Sequence, residues 1–169
     1  MKFIYKADNE IIAVSGRKGN WSKELNNPLP NKTYKVDGNK TYVTDNHGRV
    51  ASVEADLSLL TKDHNKYQQC KAGKCGVSGD GGGHLIASIF GGLGEKLNIV
   101  PMNGNLNKGA WKQMENTWAT ALKEGKQVKV KIDPVYSGSS VRPDKFTIQY
   151  QIGNNKPIRE TFQNAPGGK

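Results

Sequence analysis

The sequence predicts an α+β fold in which an antiparallel sheet packs against one main helix. Three observations predict it. Short β-branched and aromatic stretches alternate with polar residues and are joined by Asp-, Asn- and Gly-containing turns, the pattern of hairpins. One segment, about 108–123, carries Trp111, Met114, Trp118, Ala121 and Leu122 at the three-and-four spacing of a buried helix face, and Gly125 ends it. Two alternating strands follow, with Val128, Val130 and Ile132 between lysines, then Phe146, Ile148, Tyr150 and Ile152 between Thr and Gln.

In chain order, residues 1–14 read as a hairpin, with a strand-like start at Lys2–Lys6, a turn at Asp8-Asn9 and a return through Ile11, Ile12 and Val14. Residues 15–31 are rich in Gly, Asn and Pro and read as loop. The expected organisation is therefore an N-terminal hairpin and tether over 1–31 and a main body over 32–169. A second hairpin runs from Thr33, Tyr34 and Val36 through Asp37-Gly38-Asn39 into Thr41, Tyr42 and Val43. Residues 49–60 fit strand or helix. Residues 66–79 are polar and read as loop, and the apolar run 84–90, bounded by glycines, reads as a buried strand. The loop 134–144 holds Tyr136, Ser137, Ser139, Ser140 and Arg142, and the polar segment from Gly153 is expected to fray.

At 169 residues the chain suits one domain with its own core. Its formal charge of +10, from 25 Lys and Arg against 15 Asp and Glu, is spread along the sequence and attracts polyanions, nucleic acid foremost. Lysine outnumbers arginine, which favours backbone attraction over base reading. A non-catalytic nucleic-acid-binding domain, using Trp21 and Tyr136 as exposed aromatics, is the alternative that charge alone allows. No apolar run is long enough to span a membrane, and the N-terminus lacks a signal-peptide pattern. The abrupt start in a strand suggests a domain cut from a longer chain, or one exported without a cleaved leader. Cys70 and Cys75 are free or form a small disulfide loop; joined to His64 and His84 they offer zinc ligands, but at spacings that fit standard zinc sites poorly.

Chemistry concentrates between Asp80 and Glu115. His84 follows Gly81-Gly82-Gly83, and imidazole is the side chain suited to take a proton near pH 7. Gly82 and Gly83 would leave room for a phosphate to approach the ring and backbone N–H groups. Asn107 stands where a helix opens, so its carbonyl oxygen either caps that helix or binds Mg²⁺. Glu115 sits on the helix flank, either supporting a cation's water or pairing with Lys112 or Lys123 in solvent. A base and a hard cation are what phosphodiester hydrolysis requires.

Taken together, Gly83-His84, Asn98-Ile99-Val100-Pro101, Leu106-Asn107-Lys108-Gly109-Ala110-Trp111 and Glu115 resemble the DNA/RNA non-specific endonuclease family, and most closely its bacterial polymorphic-toxin branch. The resemblance covers about residues 67–152. It implies a ββα-metal (His-Me finger) fold and hydrolysis of DNA and RNA with Mg²⁺ or Mn²⁺. It further implies His84 as general base, Asn107 as metal ligand, Glu115 acting on the metal through water, and Asn98 ordering the site. Where secreted members carry arginines, this chain has Gly82 before Gly83-His84 and Ala119 after Glu115. Arg142 is the expected replacement and Lys112 the second choice for the phosphate. The toxin branch implies a monomeric domain, delivered into a target cell and paired with an acidic immunity protein.

Overall fold

The computed structural model describes residues 3–7 and 9–169, with side chains from Asn9 onward; the turn position expected at Asp8 and the strand start at Lys2 lie outside the described residues. Eight strands form one sheet: β1 (Phe3–Ala7), β2 (Glu10–Ala13), β3 (Thr33–Val36), β4 (Lys40–Thr44), β5 (Val50–Asp56), β8 (Val128–Val135), β9 (Lys145–Ile152) and β10 (Ile158–Gln163), adjacent in that order. Every pairing is antiparallel except β2 with β3. A separate ribbon pairs β6 (Asp80–His84) with β7 (Ile99–Asn103). Helices α1 (Lys23–Asn26), α2 (Lys66–Lys74), α3 (Gly104–Lys108) and α4 (Ala110–Lys123) complete the chain.

The alternating strands form where expected because their odd and even residues split between core and solvent. Along β8 the pattern is strict, Val128, Val130 and Ile132 buried and Lys129 and Lys131 exposed. The β3–β4 turn closes through Asp37 (φ 56°) and Gly38 (φ 75°), the left-handed region that Asp and Gly tolerate best. Residues 49–60, open between strand and helix, contain β5, which joins the early hairpins to β8.

Helix α4 covers the sheet with the face expected of it. Trp111 meets Phe146 edge-on, 5.1 Å between ring centres, and Trp118 meets Tyr150 likewise at 5.4 Å. Losing either indole would cost about 3–5 kcal/mol.

Four expectations change. Residues 15–31 are no loose tether: Ser22 and Leu25 are buried, and the backbone N–H groups of Gly16 and Ser22 both donate to Glu95 Oε2, at 2.7 and 2.8 Å. Residues 66–79 contain α2, capped by the Asn65 side chain at the Gln68 N–H. The strand lies over Asp80–His84, not over 84–90, and residues 85–92 form turns. The C-terminal segment is anchored, because buried Asn164 donates to Pro101 O and Pro143 O while accepting from Asn103 N–H.

Candidate active site

The glycine strand explains the local architecture. A Cβ on Gly82 would overlap the Gln69 backbone of α2, and one on Gly83 would sit 2.7 Å from Met102 Cβ. Helix α2 therefore lies directly on β6. Gly82 and Gly83, expected to admit a phosphate, instead admit a helix and a methionine. At the end of this ribbon His84 pairs in register with Ile99, which fixes its backbone in the ladder.

The His84 ring is mostly enclosed. Its Nε2 is sealed from solvent and meets no hydrogen-bond partner among the described residues. Burial, reinforced by the neighbouring His64 imidazole, lowers its pKa to about 4. His84 is thus a neutral imidazole throughout the physiological range, with lone-pair or N–H capacity that no described residue uses.

Asn98 holds the turns that follow His84. Wholly buried, its Oδ1 accepts from Tyr42 Oη–H at 2.7 Å and Ile86 N–H at 3.0 Å, and its Nδ2 donates to Ile86 O at 2.8 Å and Leu93 O at 2.9 Å. Its bonding capacity is spent on the protein, which leaves nothing for substrate.

Asn107 resolves differently from the capping alternative. Asn103 caps α3, accepting from Leu106 N–H at 3.0 Å. Asn107 lies inside α3, half-buried, and its carboxamide makes no hydrogen bond among the described residues. Gly109 (φ −103°, ψ −106°) then breaks the chain between α3 and α4, where a Cβ would lie 2.8 Å from Asn105 O.

Glu115 is no solvated helix residue. It is 6 % exposed on α4 and joins no ion pair among the described residues. Desolvation raises its pKa to about 7, against the opposing influence of exposed Lys112 and of Trp111. The Trp111 Nε1–H is itself buried without an acceptor within bonding distance among the described residues. A nearby cation would favour the ionised carboxylate.

The unpartnered Asn107 amide and the buried Glu115 carboxylate are hard oxygen donors, which suits Mg²⁺ or Mn²⁺. Among the described residues no three His, Cys, Asp or Glu side chains gather as a metal site, so a cation here would rely on few protein ligands. The zinc alternative loses its ligand set. His64 and His84 adjoin each other, but Cys70 and Cys75 are free and exposed.

Arg142 does not stand free for phosphate. Its Nε donates to Asp80 Oδ2 at 2.6 Å, and its Nη2 donates to Asp80 Oδ1 at 3.1 Å and Asn164 O at 2.7 Å. The Asp80 side chain is fully buried, so the pair is a structural clamp between β6 and the 136–144 loop. The expected exposed aromatics are also engaged. Trp21 packs on Gly94, and Tyr136 donates to Val50 O beneath the Arg49 guanidinium, 4.4 Å from its ring centre.

The sequence singled out His64 only as a possible zinc ligand with His84, not as a neighbour of that ring at a phosphodiester site. The His64 ring lies 5.2 Å from that of His84, centre to centre, tilted by 54°. No periodicity marked His64, and only its place before the helix-capping Asn65 hinted at a fixed position.

A two-stranded ribbon ending in histidine, followed by a helix carrying a buried glutamate, is the ββα-metal arrangement of nucleases. The DNA/RNA non-specific endonuclease model matches residues 30–154, and the chain belongs to that family. The match starts well before residue 67, so β3, β4 and β5 are part of the domain. The chain is 37 % identical over 137 residues to the type VII secretion system protein EssD of Staphylococcus aureus strains USA300 and Newman. That alignment covers 76 % of this chain and 22 % of EssD. The fold is similar to NucA from Streptococcus agalactiae with magnesium bound, at a TM-score of 0.59, 15 % identity, 80 % of this chain and 72 % of that one. An extracellular endonuclease gives a TM-score of 0.51 at 23 % identity, over 73 % of this chain and 76 % of that one. No helix among the described residues is long and apolar enough to cross a membrane.

Proposed function

We propose that this nuclease is a metal-dependent, sugar-non-specific endonuclease that hydrolyses DNA and RNA phosphodiesters. The observation that carries the reading is His84, a half-buried imidazole held neutral at the end of the ribbon, with Nε2 enclosed and Nδ1 the ring nitrogen left to meet water. His84 takes a proton from the water that attacks phosphorus. Asn107 would be the direct ligand of a bound Mg²⁺ or Mn²⁺, with Glu115 supporting the ion's water shell. When bound, the ion supplies charge neutralisation at the phosphate and the departing 3′ oxygen. Asn98 keeps the turns behind His84 in place.

The test is a divalent-metal series on plasmid DNA and total RNA with the parent and His84→Ala. The parent should cut both polymers only with metal, and His84→Ala should lose at least about a hundredfold in rate while keeping its fold. Parental digestion by the variant refutes the base assignment, and digestion undiminished in EDTA refutes the metal.

By its likeness to part of EssD, the chain is read as the toxin domain of an exported antibacterial effector, delivered into a target cell. A cognate immunity protein, acidic enough to cover a surface of net charge +10, is the partner this implies. Co-expression with the neighbouring gene product should give a complex and suppress cutting; neither result appearing would sink that partnership.

A further inference from the structure

We propose that His64 is a substrate-binding residue of this site, donating a hydrogen bond to the phosphodiester beside His84 and filling the place an arginine would otherwise take. The inference rests on the reading of His84 as the base.

The position of His64 is built by the fold. Leu60 N–H donates to Ile89 O at 3.0 Å and Lys62 N–H to Ser88 O at 2.9 Å, strapping residues 60–62 along the turns that follow His84. One residue beyond His64, buried Asn65 caps α2. The imidazole is thus fixed from both sides and adjoins His84 at the 5.2 Å ring separation.

Its surroundings complement those of His84. His64 is exposed, whereas His84 Nε2 is sealed, so the pair presents one ring inward and one outward. His64 Nε2 lies 2.8 Å from Ser88 Oγ. With the hydroxyl donating, Nδ1–H is left to point at a ligand, and no protein group among the described residues takes it. Burial, reinforced by the adjoining His64 ring, holds His84 in the neutral form.

Arg142, expected to meet the phosphate, is not available for this task, whereas Lys112 is exposed on α4. Arg142 is committed to Asp80 and Asn164. Gly82 and Ala119 stand where arginines would serve, and an oxyanion centre without a preorganised donor forfeits much of its stabilisation.

The experiment compares parent, His64→Ala and His64→Arg. Binding of a labelled 12-nucleotide single strand is measured in EDTA, and cleavage of the same strand in Mg²⁺ gives KM and kcat. In His64→Ala, Kd should weaken by about five- to twentyfold. KM should rise in step, and His64→Arg should restore both. A parental Kd in His64→Ala overturns the proposal. So does an unchanged KM with a displaced pH profile of kcat, which would make His64 act only through His84. If His84→Ala still cleaves, it is the base assignment that fails, and the EDTA binding comparison still decides on His64.

Discussion

Burying an acid on α4 has a measurable cost. Glu115 is 6 % exposed, and its pKa rises from 4.5 to about 7, chiefly by desolvation. The folded protein therefore holds this proton more tightly than the unfolded chain, and stability is lost as pH rises. The loss is absent below about pH 4.5 and complete above about pH 7, where it amounts to about 3 kcal/mol. Glu115→Gln keeps the shape and removes the titration. In EDTA, urea unfolding followed by tryptophan fluorescence should find the variant about 2–3 kcal/mol more stable than the parent at pH 8, and within about 1 kcal/mol at pH 5. His84 works in the opposite direction. Its folded pKa of about 4 lies below the ordinary 6.5, so stability falls as pH drops from 6.5 toward 4. Parental stability should accordingly be flat across this interval, while the Glu115→Gln curve climbs through it. The same gap between variant and parent at pH 5 and pH 8 would refute the account of a buried, proton-linked carboxyl.

Three further outcomes follow from the site's construction. Asn98→Ala removes four buried hydrogen bonds and should cost about 3 kcal/mol or more, read as a lowered urea midpoint, with activity lost in proportion to folding. Asn107→Ala deletes an amide with no protein partner and should change stability by less than about 0.5 kcal/mol while abolishing metal-supported cleavage, checked by denaturation and plasmid digestion. Gly82→Ala drives a methyl group into the α2 backbone and should destabilise by about 2–4 kcal/mol. Gly81→Ala, which meets nothing within 4 Å, should be nearly silent in the same denaturation series.

The sequence was most readable where burial alternates. The hairpins at 33–44, the strands at 128–135 and 145–152 and the α4 face all carry their periodicity openly. Helix α2 was hidden because Lys66–Lys74 has almost no apolar face; its packing comes from the glycines of β6, not from its own side chains. For the same reason a run of glycines did not look like a strand. Within the candidate site, His84, Asn98, Asn107 and Glu115 were singled out because they stand in one stretch in the order of the family motif. The engagement of Arg142 with Asp80 and the adjacency of His64 to His84 join residues far apart in the chain, and local patterns do not encode such pairs.

The latch of residues 16–22 onto Glu95 decides where this nuclease can be cut or spliced. Family matching begins at residue 30, yet an excision there would strip β2 from β3 and leave the inward-facing Glu95 carboxylate without both its N–H donors, three residues from Asn98. A fusion or minimal fragment meant to keep its activity should therefore retain everything from Glu10 onward.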